Sequence, residues 1–171
     1  SINMTSLYIH IPFCQNKCYF CSFVVSVGQE QRIDAYLDSL ALQAKGCRGA
    51  VKTIYVGGGT PSHMNPAQLA RLVAIIRDNF TSLPGTEFTI EANPESIDLE
   101  KAKLLLDSGV NRISLGVQTL DDRRLKFLGR CHDRVAALTA FSHLRKAGFS
   151  NINLDLMYSF PDQTNEELSL D

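Results

Sequence analysis

Hydrophobic positions along the chain alternate between strand-like runs and helical spacing. Leu7-Tyr8-Ile9-His10-Ile11 is a short β-rich run, closed by Pro12. After it, Ile33, Leu37, Leu40, Ala41 and Ala44 recur on one helical face, and Gly46 is placed to end that helix. Val51 to Val56 is the next strand and runs into Gly57-Gly58-Gly59. Leu69, Leu72, Val73, Ile76 and Phe80 mark a second amphipathic helix. Glu87 to Glu91 is a third strand, and the helix after it stops at Gly109. Arg112 to Val117 is a fourth strand, Asp133 to Ala147 a helix stopping at Gly148, and Asn151 to Met157 a fifth strand. Thr164-Asn165-Glu166-Glu167 has the form of a capping box opening one more helix.

Such alternation implies an α/β fold with parallel strands joined by right-handed crossovers. The strands begin roughly 36 residues apart, and eight such units would need roughly 290 residues, the size of a full (β/α)-barrel. The 171 residues hold five units, and the last capping box opens just before Asp171. A self-contained five-strand sheet is the simpler reading. A partial (β/α)-barrel cut off inside its sixth unit explains both observations, and it is the expectation adopted. Residues 1–171 read as one domain, without linker, repeat or low-complexity stretch.

Charge and composition narrow the function. With 17 basic and 18 acidic side chains the net charge is −1, which removes the electrostatic case for a nucleic-acid or anionic-membrane partner. No segment approaches ~18 uninterrupted apolar residues, so no transmembrane segment is expected. Ser1-Ile2-Asn3-Met4 lacks the basic and apolar regions of a secretory leader. Five cysteines is an odd number with three crowded together, which does not suit a secreted disulfide framework. A cytoplasmic location is the expectation.

Those three cysteines, Cys14, Cys18 and Cys21, lie in the loop after the first strand. Spacings of three and two residues let one tight loop wrap three thiolates around a single inorganic centre. A structural zinc ion would want a fourth ligand, which His10 could supply, although His10 lies inside the strand with Tyr8. A redox dithiol would need only Cys18 and Cys21, leaving Cys14 unexplained. An iron–sulfur cluster on three thiolates leaves one iron free to bind something else. Cys47 and Cys131 stand alone and read as packing or incidental thiols. The triple glycine allows a backbone to approach a ligand closely, and it lacks the Lys-Ser/Thr of a phosphate loop. Glu91 ends an otherwise apolar strand and suits a cationic or hydroxyl-bearing ligand. The guanidinium fork of Arg130 suits a carboxylate.

Leu7 to Cys14 with Cys18-Tyr19-Phe20-Cys21 resembles the radical S-adenosylmethionine (SAM) superfamily, and within it the proteins similar to oxygen-independent coproporphyrinogen III oxidase and the related heme chaperones. Gly57-Gly58-Gly59-Thr60-Pro61-Ser62, Glu91-Ala92-Asn93-Pro94, Ser114-Leu115-Gly116-Val117-Gln118 and Asn153-Leu154-Asp155 follow in that family's order. The resemblance implies a partial barrel whose N-terminal radical core occupies 1–171, with the family's C-terminal domain absent. It implies a 4Fe-4S cluster on Cys14, Cys18 and Cys21, with SAM chelated at the open iron and reductively cleaved to a 5′-deoxyadenosyl radical. By the same resemblance Tyr8, Phe20, Gly58, Gly59, Thr60, Glu91, Gln118, Arg130 and Asp155 contact SAM, with Tyr8 and Phe20 flanking the cluster. A reductant such as flavodoxin or ferredoxin and a porphyrinogen or heme substrate are the implied partners.

Departures from the family pattern bear on the branch. The oxidase has a further cysteine two residues after the third ligand, where this chain has Ser22-Phe23. Leu128-Gly129-Arg130-Cys131-His132 is similar to the Leu-Gly-Arg-x-His of the heme-chaperone branch. In Tyr158-Ser159-Phe160-Pro161-Asp162-Gln163-Thr164, Ser159, Phe160 and Asp162 replace the family's Gly, Leu and Gly. Three functions stay open: an oxidase-like or heme-chaperone radical protein, a related methyltransferase or cyclopropanase, and a non-catalytic metal- or heme-binding module. With one side of the site missing, the chain alone is expected to turn over SAM poorly.

Overall fold

The computed structural model describes residues 6–171. The reading of Ser1 to Met4 as leaderless lies outside the described residues. In chain order the strands are β1 (Ser6–Ile11), β2 (Phe13–Cys14), β3 (Ser26–Val27), β4 (Gly49–Gly58), β5 (Phe80–Ala92), β6 (Arg112–Gln118) and β7 (Asn151–Leu156). The α-helices are α1 (Ile33–Lys45), α2 (Pro66–Asn79), α3 (Leu99–Asp107), α4 (Asp122–Phe127), α5 (Arg134–Ala147) and α6 (Asn165–Ser169). Five strands form one all-parallel sheet in the order β1-β4-β5-β6-β7, and β2 pairs with β3 beside the cysteine loop. Strands that stay in chain order give a singly wound, barrel-like sheet; a doubly wound sheet would reverse direction at a switch point.

Local chemistry explains most of the boundaries. Asn65 and Gln68 cap α2 reciprocally, as Thr164 and Glu167 cap α6, while Asp98, Asp121 and Asp133 accept the first amides of α3, α4 and α5. Gly148 ends α5 in the left-handed conformation.

Three features differ from expectation. Phe80 begins β5 instead of closing α2, because its buried ring satisfies the core from either element. β5 also starts seven residues before Glu87. The strand takes up Pro84 and Gly85 as a bulge: Val51 pairs with Ser82, and Thr53 already with Glu87. The polar helix α4 was not anticipated; Asp121 holds its first turn, and Arg123 keeps the Asp121 carboxyl at a pKa of about 2.

The register separates the two faces of the sheet. Ile9, Val56, Ile90 and Ile113 form one lateral row, and they are buried with the helices in the core. Tyr8, Tyr55, Thr89 and Arg112 form the neighbouring row on the opposite face, followed by Glu91, Ser114 and Asn153. Hydrogen bonds lace this polar face from Thr53 to Ser6, Arg112 to Thr89, and Asn153 to Ser114. Parallel strands buried on both faces read as continuous apolar runs, and closed barrels fill their interior with Val, Ile and Leu. Here the concave face is a polar wall. At the open edge of the sheet, β7 leaves Leu154 and Leu156 exposed.

After β7 the chain turns through Ser159 (φ 64°) and Asp162 (φ 61°), left-handed at the positions where the family pattern has glycine. A left-handed residue with a Cβ costs roughly 1–2 kcal/mol, less for Asp. Ser159→Gly is therefore expected to stabilise the chain by about 1 kcal/mol, read from the midpoint of urea unfolding. An unchanged midpoint would mean that this loop adapts without strain.

Candidate cofactor site

At the C-terminal ends of the strands lies a half-open cleft of about 180 Å³. Cys14, Cys18, Cys21, Phe20, Gly58, Gly59, Thr60, Glu91, Gln118, Arg130 and Asp155 all line it. Every candidate residue from the sequence except Tyr8 is thus brought to one cavity. Tyr8 lies on the concave face below it, stacked on Tyr55 at 6.2 Å and hydrogen-bonded to His10 Nδ1 at 3.1 Å. It lines a separate groove with Tyr36 and Leu40. Alternation along β1 gives its face correctly, but not its depth.

The cysteine loop is clasped from the far side of the cavity. The Tyr19 amide donates to Leu128 O, and the Asn16 side chain donates to Gly129 O at 2.6 Å. Gly129 has φ 71°, and a Cβ there would stand 3.2 Å from the Tyr19 ring. The Leu-Gly-Arg-Cys-His segment is therefore the clamp on the cysteine loop. It also sends the Arg130 guanidinium into the cavity, where it donates to Cys18 Sγ at 3.4 Å and Gly116 O at 2.8 Å. Its Nε is buried without a partner. Cys14 Sγ lies 3.4 Å from the Thr60 hydroxyl, which accepts from Asn93 Nδ2 at 3.1 Å. Burial pushes the Cys14 thiol up; the Thr60 hydroxyl opposes this, Cys21 and Cys18 add to it, and Arg130 opposes it. Three crowded thiols of this kind give up their protons to a cationic centre.

His10 is turned away from the three thiols. Its ring sits between Tyr8 Oη and Val24 O and does not line the cleft, so the fourth ligand of the zinc reading is withdrawn. Among the described residues no three His, Cys, Asp or Glu side chains converge on a single ion. All three cysteines line the same cavity.

The triple glycine meets its own protein at every position. A Cβ on Gly57 would lie 2.7 Å from the Glu91 carboxyl, and one on Gly58 2.3 Å from the His10 ring. A Cβ on Gly59 would lie 2.7 Å from Phe13 O and 2.8 Å from Ile11 O. The amides of Gly58, Gly59 and Thr60 already donate to Glu91 Oε2, Ile11 O and Phe13 O. What this turn has left to offer a ligand is carbonyl oxygen, which suits an ammonium group.

The remaining wall is acidic and pre-oriented. Glu91 accepts from Tyr55 Oη at 2.7 Å and from the Gly58 amide at 3.0 Å. Burial raises the Tyr55 pKa, and the bond to Glu91 raises it further, so the phenol keeps the proton it donates. Asp155 accepts from Ser114 Oγ and Asn153 Nδ2. Gln118 holds φ 70°, a strained backbone for its residue type, and its carbonyl accepts from the Met157 amide. Asn93, Ser114 and Gly116 line the cavity as well, and sequence reading did not single them out as site residues. The signal for Ser114 and Gly116 was the Ser-x-Gly alternation on β6, which places both on the polar face.

A family model described as the radical SAM superfamily matches residues 8–170. The chain belongs to the radical SAM superfamily. This radical SAM chain is 45% identical over 167 residues to the heme chaperone HemW of Lactococcus lactis, covering 97% of the chain and 44% of that protein. It is 36% identical over 170 residues to the oxygen-independent coproporphyrinogen III oxidase of Escherichia coli, covering 96% of the chain and 37% of that protein. The solved structure of that oxidase, HemN, described as a radical SAM enzyme, superposes with a TM-score of 0.87 at 35% identity, over 98% of this chain and 40% of HemN. The chain thus spans less than half the length of these relatives. Its fold is the partial radical SAM barrel, and the cofactors of the family are a 4Fe-4S cluster and SAM. No helix among the described residues is long and apolar enough to cross a membrane.

Proposed function

We propose that the cleft holds a 4Fe-4S cluster on Cys14, Cys18 and Cys21 with SAM beside it, in a protein of the heme-chaperone and coproporphyrinogen oxidase group. The observation that carries this reading is the convergence of the three thiols, Gly58, Glu91, Gln118, Arg130 and Asp155 on one cavity. The donor set fits the two groups. Buried Arg130 Nε has no partner and matches a carboxylate, the turn after β4 presents carbonyls to an ammonium, and Glu91 and Asp155 match a sulfonium or ribose hydroxyls. When bound, the cluster would supply the electron that splits SAM into methionine and a 5′-deoxyadenosyl radical, while the residues of the cleft would hold and orient SAM. A flavodoxin or ferredoxin would deliver that electron in the cytoplasm.

Within the group, Ser22-Phe23 after Cys21 and the Leu128 to His132 clamp favour the heme-chaperone branch over the oxidase. The test is anaerobic reconstitution with iron and sulfide, then reduction in the presence of SAM. Release of 5′-deoxyadenosine supports the radical SAM reading, and its absence from iron-loaded, reduced protein would sink it. Titration with hemin separates the branches: a Soret band developing with protein supports the chaperone, and decarboxylation of coproporphyrinogen III by the same preparation would favour the oxidase.

A further inference from the structure

His132 is a buried, ionisable member of the clamp that the proposed function does not use. Its side chain is fully buried, with Nε2 3.1 Å from Val117 O and Nδ1 3.3 Å from Glu95 Oε2. A carbonyl can only accept, so Nε2 carries a proton. Nδ1 then faces a carboxylate. Burial works against the Glu95 charge, but the His132 bond, its own backbone, Arg130 and the His132 charge outweigh it and keep its pKa low. The ring thus bridges β6 and the turn that follows β5, donating to Val117 O through Nε2 and standing against the Glu95 carboxylate with Nδ1. The Nδ1–Glu95 contact, at 3.3 Å, is a close buried approach that is not aligned as a hydrogen bond.

Both ends of this strut lie next to residues of the cleft. Val117 precedes the strained Gln118, and His132 follows Arg130 by two residues on a segment that reaches Cys18. Arg130 has no ion pair among the described residues to fix it; its guanidinium rests on a neutral carbonyl and one sulfur.

We infer that the buried His132–Glu95 pair is a positioning device that holds Arg130 and Gln118 in the geometry that receives the SAM carboxylate. The inference rests on the proposed cofactor site. His132 and Glu95 do not line the cleft, so they act through Arg130 and Gln118 and not on the ligand.

The experiment compares His132→Gln and Glu95→Gln with the full wild-type chain, each alone and in an Arg130→Ala background. Glutamine at 132 keeps a donor for Val117 O and removes the ring nitrogen that faces Glu95. Iron content and circular dichroism establish that each variant folds and loads its cluster; Glu95→Gln, at a less buried position, serves if His132→Gln folds poorly. SAM affinity is measured by equilibrium dialysis. The expected result is about a tenfold weaker affinity for each single variant and a clearly smaller further loss, carried through Gln118, in the Arg130→Ala background, a coupling approaching about 1.4 kcal/mol. Unchanged affinity in the single variants, or an equal loss with Arg130 already absent, overturns the inference. A second readout needs no cofactor. In arginine-labelled protein the buried Arg130 Nε–H should exchange slowly with solvent and become fast in both variants. Slow exchange in both variants likewise overturns it. If the wild type binds no SAM, the proposed function fails, and the Arg130 exchange rate still decides the positioning role.

Discussion

Replacing Cys18 with alanine is expected to drop reconstituted iron from about four atoms per chain to below one, and to abolish 5′-deoxyadenosine formation. The physical case is that Cys18 is a ligand and not a support. It sits mid-loop, half-buried, and the loop around it is fixed by contacts that the sulfur does not make: Asn16 on Gly129 O, the Tyr19 amide on Leu128 O, and the Cys21 amide on Cys18 O. Removing one Sγ therefore leaves the clamp intact, and the apo chain should melt at the wild-type temperature. Arg130 Nη1 loses its sulfur contact but keeps Gly116 O. A three-thiolate cluster reduced to two ligands has no compensating donor, since His10 faces Tyr8 and Val24. Cys131→Ala is the matched control, because this exposed thiol does not line the cleft, and it should load iron fully. Four irons retained on Cys18→Ala would overturn the ligand assignment. A large fall in melting temperature would instead show that the thiol carries the loop.

The sheet was legible in the sequence because parallel strands with one polar face alternate strictly. Ile9, Ile54 and Ile113 on one side and Tyr8, Tyr55 and Ser114 on the other need no tertiary information. Where local chemistry and tertiary packing disagreed, the reading failed. Pro84-Gly85 has the chemistry of a turn, yet pairing with β4 on both sides draws it into β5. Phe80 continues the helical period of α2 while its backbone already pairs with Gly49. Within the site, the cysteines and acidic residues were legible as chemistry, but their supports were not. Tyr55 approaches Glu91 from the adjacent strand, and His132 meets Glu95 across 37 positions of sequence. Such partners share no spacing that a linear pattern could reveal. The glycines are the clearest instance. Their spacing suits backbone approach to a ligand, and Gly58 and Gly59 do line the cleft, but the contacts of Glu91, His10 and the β1–β2 backbone against this turn are not written in it.

That crowding separates two substitutions that look alike on paper. In Gly59→Ala the new methyl meets Phe13 O at 2.7 Å, Ile11 O at 2.8 Å and Pro12 C at 2.9 Å, all of them backbone. The Gly59 amide is bonded to that same Ile11 carbonyl, so relief requires breaking the extension of β1 or pushing the strand aside. Overpacking against atoms that cannot rotate away costs about 3 kcal/mol or more. Because Cys14 follows Phe13, the displacement should also lower iron loading. In Gly57→Ala the three atoms nearest the methyl all belong to the Glu91 carboxyl, the far end of a flexible side chain. Glu91 can swing away at the expense of its bonds to Tyr55 and the Gly58 amide, about 1–2 kcal/mol in all. The fold should survive, while SAM affinity falls about tenfold as the carboxylate leaves the cleft. Denaturant midpoints and SAM dialysis on the two variants check the contrast. Gly59→Ala as stable as wild type would refute the close approach of the β1–β2 backbone to this turn. Gly57→Ala with full SAM affinity would show that the position of Glu91 over Gly57 does not matter to the ligand.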